Sequence, residues 1–155
     1  MSADWIIRPA TPQDVTAIGD IAKAAYARYV SRIGREPAPM VADFAAHIMR
    51  GEAYVLDKSG AIDAFVISYP RDTDQFIENV AVRPDSQGLG YGRLLMKYAE
   101  FLAQESHLEK LVLYTNVKMT ENLAFYARLG YVEIKRISEH GFERVYFEKR
   151  LTYDS

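Results

Sequence analysis

Val80-Ala81-Val82-Arg83-Pro84-Asp85-Ser86-Gln87-Gly88-Leu89-Gly90-Tyr91-Gly92 carries an apolar strand into a turn with three glycines in five residues. Directly behind it, Tyr91 to Glu105 reads as an amphipathic helix. Tyr91, Leu94, Leu95, Tyr98, Phe101 and Leu102 are expected to face inward, and Arg93, Lys97, Glu100 and Gln104 outward. Such a turn exposes successive backbone N–H groups, and the helix N-terminus adds partial positive charge, so the segment suits a phosphate or pyrophosphate. A glycine turn with a purely structural role fits the same residues. Spacing narrows the ligand. The dinucleotide fingerprint G-x-G-x-x-G fails after Gly90, where Gly92 and Arg93 follow, and the G-x-x-x-x-G-K-[ST] loop is absent. The pattern present is Gln87-x-x-Gly90-x-Gly92.

Working outward, Gln75 to Val82 is the strand that leads into the loop, and Pro84 ends it. Ala53 to Asp57 and Ala61 to Tyr69 alternate with period two around a Lys58-Ser59-Gly60 turn. Trp5 to Arg8 is a short strand stopped by Pro9. A helix start follows at Thr11-Pro12-Gln13-Asp14, with Val15, Ile18, Ile21, Ala22, Ala25, Tyr26 and Tyr29 at helical spacing. Gly34, Pro37 and Pro39 break that helix, and a second runs from Val41 to Arg50. Toward the C-terminus come a strand Leu111 to Tyr114, a helix Met119 to Leu129 closed by Gly130, and a hairpin of Tyr131 to Ile137 with Phe142 to Lys149. The order β α α β β β α β α β β, without repeat or linker, predicts one α/β domain over residues 1–155 with a mixed sheet.

The chain has 155 residues, 49% of them apolar and 26% charged, the mix of an ordinary soluble domain. It contains no cysteine, which excludes disulfides, thiolate nucleophiles and zinc fingers. A net charge of -2 offers no basic field for nucleic acid. No apolar run approaches a membrane span, and Met1-Ser2-Ala3-Asp4-Trp5 lacks the features of a signal peptide. The expected setting is cytoplasmic, with neither nucleic acid nor membrane as partner. His47, His107 and His140 are scattered without ligand spacing, so no metal is expected. No G-x-S-x-G elbow makes Ser86 a nucleophile; Asp85 and Ser86 are read as shaping the turn.

Gln87-x-x-Gly90-x-Gly92 resembles the acetyl-CoA pyrophosphate loop of the GNAT superfamily of N-acetyltransferases, [Gln/Arg]-x-x-Gly-x-[Gly/Ala], and Val82-x-Pro84 fits the same family. Asn122-Leu123-Ala124-Phe125-Tyr126-Ala127-Arg128-Leu129-Gly130-Tyr131 is similar to its second signature, Asn-x-x-Ala-x-x-Tyr ending in Gly-aromatic. The likeness runs from Ile6 to Leu151. It implies a mostly antiparallel sheet of about seven strands and about four helices, in which the strands Gln75 to Val82 and Leu111 to Tyr114 splay apart around the cofactor. Acetyl-CoA would serve as co-substrate. Its pantetheine arm would lie near backbone groups of Val80 and Val82, its pyrophosphate on Gln87, Gly88, Leu89, Gly90, Tyr91 and Gly92. A homodimer is a family-level expectation.

Direct acetyl transfer to an amine requires that the ammonium lose a proton, that negative charge on the acetyl oxygen be stabilised, and that the leaving thiolate be protonated. Tyr126 suits the last task, since a phenol with pKa near ~10 keeps its proton at neutral pH; packing is the plainer reading. Asn122 and Tyr126 share a helix face and can address one ligand, whereas Tyr131 reads as core. Glu78 is the candidate base, placed by period two on one side with Val80 and Val82; a salt bridge on the strand face is the alternative. Lys118 reads as a contact for an adenosine phosphate or as a solvated loop residue. The segment Tyr26, Tyr29, Arg32, Glu36, Pro37, Pro39, Met40 and Asp43 is expected to line the mouth for a small-molecule or peptide amine acceptor, with Tyr26, Tyr29 and Met40 foremost. A non-catalytic acyl-CoA sensor, or an interaction domain with an incidental glycine turn, are the competing classes.

Overall fold

Period-two runs of β-branched and aromatic residues pair into one seven-stranded sheet in the computed structural model, which describes residues 4–153; Met1 to Ala3, part of the segment read for a signal peptide, lie outside the described residues. The strands are β1 (Trp5–Pro9), β2 (Ala53–Lys58), β3 (Ala61–Pro70), β4 (Asp74–Val82), β5 (Lys110–Asn116), β6 (Val132–Glu139) and β7 (Phe142–Arg150), in the order β1-β2-β3-β4-β5-β7-β6. Every neighbouring pair is antiparallel except β4 with β5. That parallel pair needs a crossover, and the long amphipathic helix supplies it.

Five helices accompany the sheet: α1 (Val15–Tyr26), α2 (Tyr29–Ile33), α3 (Phe44–Met49), α4 (Tyr91–Glu105) and α5 (Thr120–Arg128). The expected four become five because the first helix does not run on through Tyr29. A tight turn, Val30 N–H to the Ala27 carbonyl at 3.2 Å, separates α1 from α2. Helix α3 also starts later than Val41. Asp43 caps it, its Oδ1 accepting from the Ala46 N–H at 3.1 Å, while Ala38–Met40 forms a 3-10 turn after Pro37. Among the described residues no helix is long and apolar enough to cross a membrane.

The two faces of the sheet bury separate cores. On one, Leu95, Met96, Ala99 and Ala103 of α4 meet Leu56, Val66, Leu111 and Leu113. On the other, Ile18, Ile21 and Ala22 of α1 and Phe44 and Ile48 of α3 cover Val55, Phe65, Ile67 and Ala81. Phe101, expected inside, is 49% exposed. The inward stripe runs through Ala99 and Ala103, whose small side chains bring α4 close to the sheet, and Phe101 projects off it.

The entry to α1 rests on Asp14, 7% exposed, which accepts from Arg8 Nη1 at 2.8 Å and Nη2 at 3.1 Å and from the Thr11 N–H at 2.8 Å. The Arg8 hydrogen bonds hold the Asp14 carboxyl below its ordinary range, against the opposing effect of burial. A depressed carboxylate contributes stability above its unfolded pKa, near ~3.9, and loses it as pH falls through the folded value. Asp14→Asn is therefore expected to cost about 2 kcal/mol at pH 7, or several degrees of Tm, with the gap to wild type closing below about pH 4. Thermal melts at pH 7 and pH 3.5 check this; an equal gap at both would contradict it.

Candidate active site

The β4–β5 ladder joins Asp74 to Lys110 and continues only as far as Ile77 opposite Leu113. Beyond it β4 follows β3 to Val82 and β5 follows β7 to Asn116, so the two strands part. Amide groups alternate between the two edges of a strand. The Arg83 N–H points to β3, bonding the Asp63 carbonyl at 2.8 Å, so Val82 and Val80 turn theirs into the gap. The Val80 carbonyl there accepts the Tyr26 hydroxyl at 2.9 Å.

Glu78 sits in a β-bulge. Ile67 pairs with Asn79 and Ser68 with Ile77, leaving Glu78 without a cross-strand partner. A bulge re-aims side chains, and the face expected for Glu78 is corrected accordingly. Val80 and Val82 pack on the α4 side, whereas Glu78 turns to the side of α1 and α3. There its Oε1 accepts from the Tyr69 hydroxyl at 2.8 Å and its Oε2 lies 2.8 Å from His47 Nε2. The other imidazole nitrogen, Nδ1, is 2.7 Å from Glu52 Oε1, which also accepts from Arg50 Nε at 3.1 Å. Burial and the adjacent Glu78 push the Tyr69 phenol well above its ordinary range, so Tyr69 is the donor in its bond to Glu78.

At the other end of β4, Gly88 and Gly90 adopt φ of +87° and +85°, with open space where a Cβ would stand. No side chain caps α4 at Gly90. Gly90, Tyr91 and Gly92 line the adjacent cavity, so the uncapped start of α4 borders it, as a phosphate cradle requires. Gly92 lies inside the helix, and a Cβ there would meet Phe125 Cζ at 3.4 Å. The Gln87 amide donates to the Val82 carbonyl at 3.4 Å and ties the loop back to its strand.

Two cavities open on this region. One of about 420 Å³ is lined by the glycine loop, Val80 to Val82, Tyr29 and the arginines 28, 93 and 128. The second, about 300 Å³, is lined by Glu78, Asn79, His47, Asp43, Tyr114 and Arg144, among others. Tyr26, Val80, Asn122 and Tyr126 line both. Tyr126 is 6% exposed and packs near Phe125, Tyr131 and Phe147. Burial, and secondarily Tyr29, push its phenol well above the ordinary range, so it keeps its proton at neutral pH. Asn122, one turn earlier, leans on Thr115 and Met119 through Nδ2.

The profile of the acetyltransferase (GNAT) domain matches residues 49–133, more than half of the chain and both sides of the gap. The chain belongs to the GNAT acetyltransferase family. No curated protein sequence matches it, but many solved structures share its fold. The ribosomal-protein-S18-alanine N-acetyltransferase of Escherichia coli is 20% identical, with 97% of this chain and 96% of that one covered at a TM-score of 0.78. The PaiA N-acetyltransferase of Thermoplasma acidophilum, solved with coenzyme A, is 13% identical over 97% of this chain and 100% of that one, TM-score 0.77. Arabidopsis thaliana Naa50, solved with a bisubstrate analogue of CoA and a peptide, is 11% identical over 95% and 99%, TM-score 0.74. These are likenesses of fold.

Within this GNAT domain, the site residues read from the sequence fall into two groups. Tyr126, Asn122, Tyr26 and Val80 converge where the cavities join, and Val82, Gln87, Gly88, Gly90, Tyr91 and Gly92 line the loop side. Leu89 is 60% exposed at the tip of the loop. Two acceptor-side expectations are corrected. Tyr29 lies on the loop side, buried under the Arg28 and Arg32 guanidinia at 4.9 and 5.2 Å from its ring centre. Met40 packs against the α1 core, while its neighbours Pro37 and Pro39 line the smaller cavity. Sequence reasoning missed His47, Arg28, Arg93 and Arg128. Arg93, next to Gly92, had a local signal; His47 had none, because Glu78 is far away in the chain. Among the described residues no cluster of His, Asp or Glu could hold a metal ion.

Proposed function

We propose that this chain transfers an acetyl group from acetyl-CoA to a primary amine of a small molecule or peptide, by direct attack with both substrates bound. The observation that carries the reading is the gap between β4 and β5, where a phosphate-suited cavity and a cavity bearing a carboxylate meet at Tyr126. Acetyl-CoA supplies the activated acetyl group. The Gln87–Gly92 loop holds its pyrophosphate on backbone N–H groups, with arginines 28, 93 and 128 close enough to add charge. Val80 and Val82 offer N–H and C=O groups to an extended amide chain, as a neighbouring strand would. Glu78 takes the amine proton, directly or through water, and His47 and Tyr69 fix its carboxylate at the cavity wall. As the N–C bond forms and the C–S bond breaks, Tyr126 donates its hydroxyl hydrogen to the departing sulfur, and the second proton shed by the nitrogen as it becomes an amide restores the phenol. Burial keeps the phenol proton in place until sulfur charge builds.

Acetyl-CoA offered with a panel of primary amines is the test. Release of CoA thiol with matching N-acetylated product supports the reading. CoA binding without product from any amine would favour a sensor, and no CoA-dependent rise in Tm would favour an interaction domain. The loop has its own test. Gly90→Val places a branched side chain at φ +85° and in the open cradle, and is expected to weaken CoA at least about 10-fold by calorimetry, the loss of one good phosphate contact. Gly60→Val, with φ +97° in the β2–β3 turn, carries similar strain away from the site and should leave CoA affinity alone. Equal affinities in the two variants would remove the loop from cofactor binding.

A further inference from the structure

The acceptor cavity holds a cationic side chain to which the reaction above gives no task. Arg144 of β7 is 8% exposed and stands opposite Asn116 of β5, just past the point where β4 and β5 separate. Its guanidinium carbon lies 4.3 Å from the Tyr114 ring centre and 5.5 Å from that of Phe142. These rings cover it without offering an acceptor, and it makes no hydrogen bond to a described residue. Glu139 is its nearest counter-charge, with Oε2 at 3.8 Å from Nη1, beyond hydrogen-bond distance. The remaining oxygen of Glu139 is engaged by the Tyr146 hydroxyl.

A buried guanidinium ordinarily spends its five N–H donors on acceptors. Here no described residue accepts from those donors, the Tyr114 and Phe142 rings flank the guanidinium, and the residue lines the cavity that also contains Glu78. A planar fork of N–H groups matches a carboxylate with two parallel hydrogen bonds. Opposite charges thus line one cavity, Arg144 together with Glu78 and Asp43. At about 300 Å³ the cavity is at the small end for ligand sites and sufficient for a compact amine with one acidic group.

We propose that the acetyl acceptor is a zwitterion, an amine that also bears a carboxylate, and that Arg144 binds this carboxylate while the amine faces Glu78. The inference rests on the acetyl-transfer reading above. A free amino acid and a peptide with an acidic residue near its N-terminus present the same chemistry, and the acceptors compared below distinguish them.

The test compares matched acceptors with acetyl-CoA: free amino acids, their carboxamides, the corresponding decarboxylated amines, and the dipeptides Ala-Asp and Ala-Asn. A free amino acid is expected to exceed its carboxamide by about 30-fold in kcat/KM, mostly through KM, as one charge-assisted fork allows. In Arg144→Gln that preference should collapse to within about threefold. Arg144→Lys, which keeps the charge and loses the fork, should fall between. If Ala-Asp outruns Ala-Asn while free amino acids are ignored, the carboxylate belongs to a peptide and the zwitterion stands. Decarboxylated amines accepted as well as the acids would overturn the Arg144 assignment and leave acetyl transfer intact. An acid-over-amide preference unchanged in Arg144→Gln would also overturn it. Absence of N-acetylated product from every acceptor would overturn both. Should Arg144→Gln fail to fold, wild-type ratios together with the lysine variant still decide.

Discussion

Tyr126→Phe is expected to slow acetyl transfer by about 100-fold or more, the ordinary contribution of a general acid, while CoA affinity and Tm stay close to wild type. The expectation follows from what the hydroxyl does and does not touch. It makes no hydrogen bond to a described residue, so its removal leaves no orphaned partner, and the ring keeps its contacts with Phe125, Tyr131 and Phe147. The effect should be confined to the chemical step and is best measured in single turnover. Because burial raises the phenol pKa, no loss of wild-type rate below about pH 10 should be traceable to Tyr126. A decrease under about threefold, with chemistry limiting, would return Tyr126 to a packing role.

Glu78→Gln should be slow at pH 7, by about 100-fold, and recover part of its rate toward pH 9. An alkylammonium with pKa near ~10 is only about 0.1% neutral at pH 7, and raising the pH supplies the free amine that the carboxylate otherwise generates. The glutamine carbonyl can still accept from Tyr69 at the position where Oε1 does so at 2.8 Å, which limits structural damage. Three outcomes separate three roles. A base gives the pH-dependent recovery; an anchor for a cationic amine gives a raised KM with kcat nearly unchanged; a structural ion pair gives a lower Tm without a kinetic signature. A parallel downward shift at every pH would remove the base role.

Most of the frame was legible because it is written in local pattern. The glycines 88, 90 and 92 declared a turn, the spacing of Tyr91, Leu94 and Leu95 declared a helix facing the sheet, and Asn122 with Tyr126 declared a shared helix face. The splayed strands were anticipated through the family resemblance. What was not legible depends on contacts between distant parts of the chain. The bulge at Glu78 arises from how β3 and β4 pair, and it turns the carboxylate away from Val80 and Val82, against the alternation that an unbroken strand would impose. His47, alone on a short helix, meets Glu52 and Glu78 only in the fold. Arg144 reads as an ordinary exposed-face arginine of a hairpin until Tyr114 and Phe142 enclose it. The break between α1 and α2 likewise moved Tyr29 from the acceptor side to the loop side.

On the proposed reading, both substrates are bound together where the two cavities meet at Tyr126, with no acetyl group parked on the protein. Initial rates measured with acetyl-CoA and an accepted amine varied against each other test this most directly. Double-reciprocal lines that intersect are the expected result. Parallel lines, accompanied by a protein heavier by one acetyl group after exposure to acetyl-CoA alone, would contradict direct transfer across the gap between β4 and β5.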